Sequence, residues 1–173
     1  MIDIKKIITQ KVTMPRMAIM LSGLVLAFAG TSANAQTDTF AVTTTVSDVC
    51  SVTANDMGFG TYDPLSATNN DATTTLDVTC TLTTAYDVGL DAGTGTGGTT
   101  TTRVMESATD ALNYTMWQNV TRTTNWGNAA GTDTVAGTGT GAAQTLTVYG
   151  RIAALQAADP GAYTDTVTVT VTF

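Results

Sequence analysis

Apolar and polar residues alternate with period two through most of this chain after residue 35. The clearest run is 163–173. There Tyr163, Val167, Val169, Val171 and Phe173 share one face, the threonines take the other, and Asp165 stands as a polar misfit on the apolar side. Side chains alternate faces along a strand, so the run predicts a half-buried strand. Its last seven residues hold no charge and no proline, the marks of an edge that invites pairing with another chain. Residues 36–46 repeat the pattern, with Phe40, Val42, Thr44 and Val46 on one parity. At eleven residues apiece, the two runs match in length, each about 35 Å fully extended.

Between them the alternation predicts strands over 49–54, 73–83 (Leu76, Val78, Cys80 and Leu82 on one face), 85–92 (Tyr86, Val88, Leu90), 112–118 and 144–152 (Leu146, Val148, Gly150, Ile152). Turn chemistry separates them: Asn55-Asp56, Asp63-Pro64, Asn69-Asn70-Asp71 and Asp159-Pro160-Gly161. Phe59, between Gly58 and Gly60, reads as a core plug on flexible backbone. The Gly-rich stretches 92–99 and 137–141 read as flexible loops, the first as a solvated hairpin loop. Six or seven strands at this spacing predict an all-β, immunoglobulin-like sandwich of two antiparallel sheets.

Composition agrees and narrows the compartment. Threonine makes up about a quarter of the chain after residue 35, and β-branched residues favour strands. Lys5, Lys6, Lys11 and Arg16, an apolar stretch over 17–30, and Ala33-Asn34-Ala35 have the layout of a secretory signal peptide over 1–35. The remainder of the chain divides into an extension, 36–47, and one domain, 48–173. Beyond residue 35 there is no His and no Lys; Arg103, Arg122 and Arg151 face thirteen carboxylates, a net charge of −10. That balance excludes nucleic acid as a partner. In an exported chain the pair Cys50 and Cys80 reads as a disulfide, worth roughly 3–4 kcal/mol for a loop of about thirty residues.

Several segments together resemble a known family. They are Cys50-Ser51-Val52 with Phe59-Gly60 after it, Asp77-Val78-Thr79-Cys80, the run 112–118 followed by 122–127, Val148-Tyr149-Gly150-Arg151-Ile152, and the run 161–173. Their order and content resemble the spore coat protein U domain family, which includes pilins of archaic chaperone–usher pili in Gram-negative bacteria. The resemblance implies an immunoglobulin-like pilin sandwich that lacks its final strand. It implies a groove filled first by a periplasmic chaperone and then, at an outer-membrane usher, by the N-terminal extension of the next subunit. It further implies a fibre of pilin subunits on the cell surface that supports adhesion and biofilm formation. On this chain it places the donor strand at Phe40, Val42, Thr44 and Val46. The groove edge and chaperone contact fall at Val167, Val169, Val171 and Phe173. Strand addition of this kind takes affinity from main-chain hydrogen bonds and register from side-chain pockets.

Two other readings compete: a coat or matrix protein of the same family that closes its own groove with 36–46, and a carbohydrate-binding adhesin with Tyr114, Trp117, Arg122 and Trp126 as a sugar platform. Catalysis is not expected. With no His after residue 35, it would need paired carboxylates or a nucleophile with another base, and Asp87 with Asp91 on one strand parity is an ordinary solvent-facing pattern. No metal or other cofactor is expected.

Overall fold

The computed structural model describes residues 33–173; the expected signal peptide, apart from 33–35, lies outside them. The described residues fall into two units, divided between Thr43 and Thr44. In the first, residues 33–43 are exposed and form no strand. The strand expected over 36–46 is therefore not paired into a sheet here. Its alternation is present, but Phe40 is 87% and Val42 83% exposed.

The second unit is all-β, with eight strands and no helix among the described residues. They are β1 (Cys50–Ala54), β2 (Asn70–Cys80), β3 (Ala85–Leu90), β4 (Arg103–Glu106), β5 (Ala111–Trp117), β6 (Val135–Thr138), β7 (Ala143–Ile152) and β8 (Val169–Thr172). One sheet has the order β1-β2-β7-β5-β4 and the other β6-β3-β8, every pair antiparallel. The β2–β7 ladder is the spine, running from Asn70 opposite Ile152 to Thr79 opposite Ala143. Leu76, Val78 and Cys80 point inward from β2, and Val148 and Ile152 from β7, all but fully buried. Each such aliphatic side chain contributes about 1.5–3 kcal/mol by leaving water. Thr75 and Thr147 pair directly on the outer face, where β-branched side chains suit the pleat.

Three sequence expectations change. Residues 92–99 do not close a hairpin, because β3 and β4 lie in different sheets and the segment crosses between them. Residues 137–141 are not wholly a loop. Val135–Thr138 forms β6, and Gly137 is packed so closely on the Tyr86 ring that a Cβ there would collide with it. The run 163–173 is regular strand only over Val169–Thr172, because Asp91 and Asp165 engage the backbone before it.

The disulfide joins Cys50 on β1 to Cys80 on β2, opposite each other in register. Trp126, at 1% exposure, is the largest fully buried side chain, and its Nε1–H donates to the Val88 carbonyl at 2.8 Å. Arg103 is wholly buried. It donates Nε–H to the Asp91 carbonyl (2.7 Å), Nη1–H to Thr100 (3.0 Å), and Nη2–H to Leu90 (2.9 Å) and Trp126 (2.8 Å). Burial lowers its pKa, while Tyr114 and the carboxylates of Asp91, Asp165 and Asp133 act in the opposite sense. The guanidinium thus fastens the crossover to β3 and to the Trp126 loop, with its donors matched to carbonyls as burial of a charge requires.

Candidate functional site

β1 and β8 are edge strands, one from each sheet, and their Cα atoms come within 8 Å of each other. A cleft of about 990 Å³ opens beside Ala54 at the end of β1 and Val169 at the start of β8. Its floor is core: Leu76 from β2, Leu90 from β3, Leu112, Tyr114 and Met116 from β5, and Val148 and Ile152 from β7. One lip is the segment after β1, from Met57 to Tyr62; the other runs from Ala158 to Val169.

The first lip depends on a glycine beneath it. A Cβ at Gly150 would run into the Met57 sulfur and the Phe59 ring, so its absence lets both side chains lie over β7. Phe59 then meets Tyr114 edge to face, with ring centroids 6.0 Å apart. The core plug expected at Phe59 is therefore half-buried over the cleft floor.

The second lip is held by two carboxylates. Asp165 accepts hydrogen bonds from the Tyr114 hydroxyl (2.6 Å), the Thr94 N–H (2.7 Å) and hydroxyl (3.0 Å), and the Gly95 N–H (3.3 Å). Burial pushes its carboxyl up, but these donors outweigh it and hold the pKa below the ordinary value. The Tyr114 pKa is pushed up by burial and by Asp165. Asp91 accepts from the N–H groups of Gly93 and Thr168, both at 2.9 Å. Its carboxyl also sits below the ordinary value, since those bonds overcome burial. The polar misfit in the terminal run is thus the clamp between lip, floor and crossover.

Register gives the open edges their chemistry. Asp91 N–H donates to the Thr168 carbonyl, so Thr168, Thr170 and Thr172 turn their backbone groups toward β3. The alternation leaves the N–H and C=O of Val169 and Val171 facing away from β3, without a strand partner among the described residues. On β1, Thr81 bonds Val49 and Asn55 bonds Thr75, which turns the backbone of Cys50, Val52 and Ala54 away from β2. Both edges therefore combine inward apolar side chains with unpaired backbone groups at the same residues, the requirement for adding a strand.

Val167 and Val169 line the cleft. Val171 packs on the core, and Phe173 is exposed. Phe40, Val42, Thr44 and Val46 are all exposed. Residue alternation alone gave no sign of the lip from Met57 to Tyr62; the Gly58-Phe59-Gly60 spacing was its only signal. A sugar platform is overturned. Trp126 and Tyr114 are buried, half-buried Trp117 donates Nε1–H to the Thr115 hydroxyl (2.9 Å), and Arg122 is engaged by Asp71 (3.2 Å) and the Gly150 carbonyl (3.2 Å). Asp87 accepts from the Thr134 hydroxyl (2.8 Å).

The spore coat protein U domain model matches residues 36–170. The chain belongs to the spore coat protein U domain family. It is 34% identical over 171 residues to Protein U of Myxococcus xanthus, covering 90% of this chain and 95% of that protein. Among solved structures it resembles a chain of the CsuC–CsuE chaperone–tip adhesion subunit pre-assembly complex from archaic chaperone–usher Csu pili of Acinetobacter baumannii. The TM-score is 0.55 and the identity 26%, over 75% of this chain and 40% of that one. This family member thus spans less than half the length of the Csu chain it matches. Family and fold are those of structural pilus and coat subunits, not of enzymes.

Proposed function

We propose that this protein is a structural subunit of a chaperone–usher pilus, completed by a strand from another copy laid into the cleft between β1 and β8. The observation that carries the reading is the pairing of that cleft, with unpaired edge backbone beside a core floor, with an exposed alternating segment at Phe40, Val42, Thr44 and Val46. An isolated strand in water has no partner for its backbone, and an edge without a neighbour has the same deficit; joining them satisfies both. The similarity to a pre-assembly complex of a pilus chaperone with its subunit supports a periplasmic chaperone as the first occupant, held at Val167, Val169, Val171 and Phe173. An outer-membrane usher, a homopolymer on the surface of a Gram-negative cell, and a role in adhesion and biofilm belong to the same reading.

The test is removal of residues 36–46 from the exported chain. The full chain is expected to give a ladder of non-covalent, heat-sensitive oligomers by size exclusion and unheated electrophoresis. The truncated subunit is expected to stay soluble only with its chaperone and to form no ladder. A truncated subunit that still builds fibres defeats the assignment of the donor.

A further inference from the structure

Residues 36–43 are exposed and form no strand, with Phe40 and Val42 standing in the open. The chain is fastened to the sandwich from Asp48 onward, where the Thr84 hydroxyl donates to the Asp48 carboxylate at 2.7 Å and Val49 is bonded to Thr81. Exposed, unpaired termini are where proteolysis concentrates. The stretch that strand donation needs intact is therefore the stretch most open to trimming from its end. The chemistry of that end is distinctive. Ala33-Asn34-Ala35 sets small residues in the pattern at which a signal peptide is cut, so export leaves Gln36 as the first residue. No lysine follows it, so the α-amine of Gln36 is then the only amine of the exported chain.

We propose that Gln36 closes on itself after export to a pyroglutamyl residue, and that this cap shields the donor segment from aminopeptidases. The inference rests on the export and strand-donation reading. An α-amine titrates at about pH 8, so part of it is unprotonated and nucleophilic at neutral pH. The Gln36 side-chain amide lies within reach of that amine, and having both groups on one residue makes the attack intramolecular. The α-nitrogen forms a bond to Cδ, the bond from Cδ to Nε2 breaks, and Nε2 leaves as ammonia with a proton taken from the amine. The product is a neutral five-membered lactam, and no oxidant, reductant or second reactant is needed. Gln36 is exposed, so no packed group has to move for the ring to close. The lactam has no free α-amine, the group an aminopeptidase must bind, and the terminal positive charge is lost with it. Without the cap, removal of residues in turn from Gln36 reaches Phe40 and Val42, the outer plugs of the donor row, before it meets the fastened backbone at Asp48.

The experiment takes the full chain, exported and recovered with its chaperone, beside Gln36→Ser, which starts on a small polar residue that cannot cyclise. Gln36 lies in the exposed stretch before the sandwich, so the variant folds as the parent does. The intact mass of the parent should be that of residues 36–173 with the disulfide, lower by one ammonia, and an amine-reactive ester should leave it unlabelled. Gln36→Ser should show its full mass and take one label per chain. Under an aminopeptidase, Gln36→Ser should lose Phe40 and then form no oligomer ladder, while the parent keeps both. Removing the lactam with a pyroglutamyl peptidase should make the parent as sensitive as the variant. A parent beginning at Gln36 with a labelled amine overturns the cap, and a variant that resists trimming overturns its protective role. A mass that retains residues before Gln36 overturns the export reading as well. A ladder that survives the loss of Phe40 defeats the donor assignment and leaves the cap standing.

Discussion

The bond between Tyr114 and Asp165 ties the cleft's second lip to its floor, and its loss has a calculable cost. Asp165→Ala leaves the Tyr114 hydroxyl, on a side chain 3% exposed, without its acceptor, and frees the Thr94 and Gly95 amides. A buried donor without a partner costs roughly 1–3 kcal/mol, and a hydrogen bond to a charged group contributes about 1.5–3 kcal/mol. Asp165→Ala should therefore destabilise by about 2–3 kcal/mol. Tyr114→Phe removes one donor and leaves the others on Asp165, so about 1–2 kcal/mol is expected. The two residues share the bond, so the double variant should lose less than the sum, with a coupling of about 1 kcal/mol or more. Urea unfolding of the disulfide-intact protein at neutral pH, followed by tryptophan fluorescence through buried Trp126, gives each term. The pH dependence has a fixed sign. A carboxyl depressed below its ordinary 3.8 in the folded state stabilises fully above that value and loses its contribution as pH falls through the folded pKa. The gap between parent and Asp165→Ala should therefore be constant from neutral pH down to about 5 and shrink below about 4. Coupling near zero, or a gap that widens in acid, would refute the clamp.

Other perturbations test the frame. Arg103→Met should cost about 3 kcal/mol or more, since the Asp91, Leu90, Thr100 and Trp126 carbonyls lose their donors in the interior; a variant with a parental urea midpoint would contradict that. Cys50→Ser with Cys80→Ser should lower the midpoint by the equivalent of roughly 3 kcal/mol, and an unchanged export yield would show the bridge to be dispensable. Gly150→Ala should cost about 1–3 kcal/mol by displacing Met57 and Phe59, read as a lower melting temperature with β content retained by circular dichroism.

Much of the fold was legible because the interior strands obey period two without interruption. Leu76, Val78 and Cys80, Tyr86, Val88 and Leu90, and Val148 and Ile152 all point inward as their parity requires, whereas Leu82, expected on the same face, lies past the end of β2 and is 70% exposed. What parity cannot carry is long-range pairing. Nothing in the residues 92–99 says that they cross between sheets, because the crossover is fixed by Asp165, 70 positions from Gly95, and by Arg103, 12 positions from Asp91. Nor could composition say that an arginine would be wholly buried; only the four carbonyls that receive it make that possible. Asp165 was visible as an exception on an apolar face, yet its acceptor role depends on Tyr114, fifty-one residues away. At the candidate site the valine edge was legible from the terminal alternation, whereas the opposite lip was not, since Met57 and Phe59 owe their place to the missing side chain of Gly150 on a distant strand.

The central claim is that a strand joins the open edge of β8, and backbone amide exchange tests it residue by residue. Thr170 and Thr172 face β3, so their amides should be protected in free subunit and fibre alike. Val169 and Val171 face the open edge, so their amides should exchange freely in the subunit and slow by about a hundredfold or more on assembly, the scale set by local opening of paired strands. Valine amides that exchange as fast in the fibre as in the subunit would contradict the account.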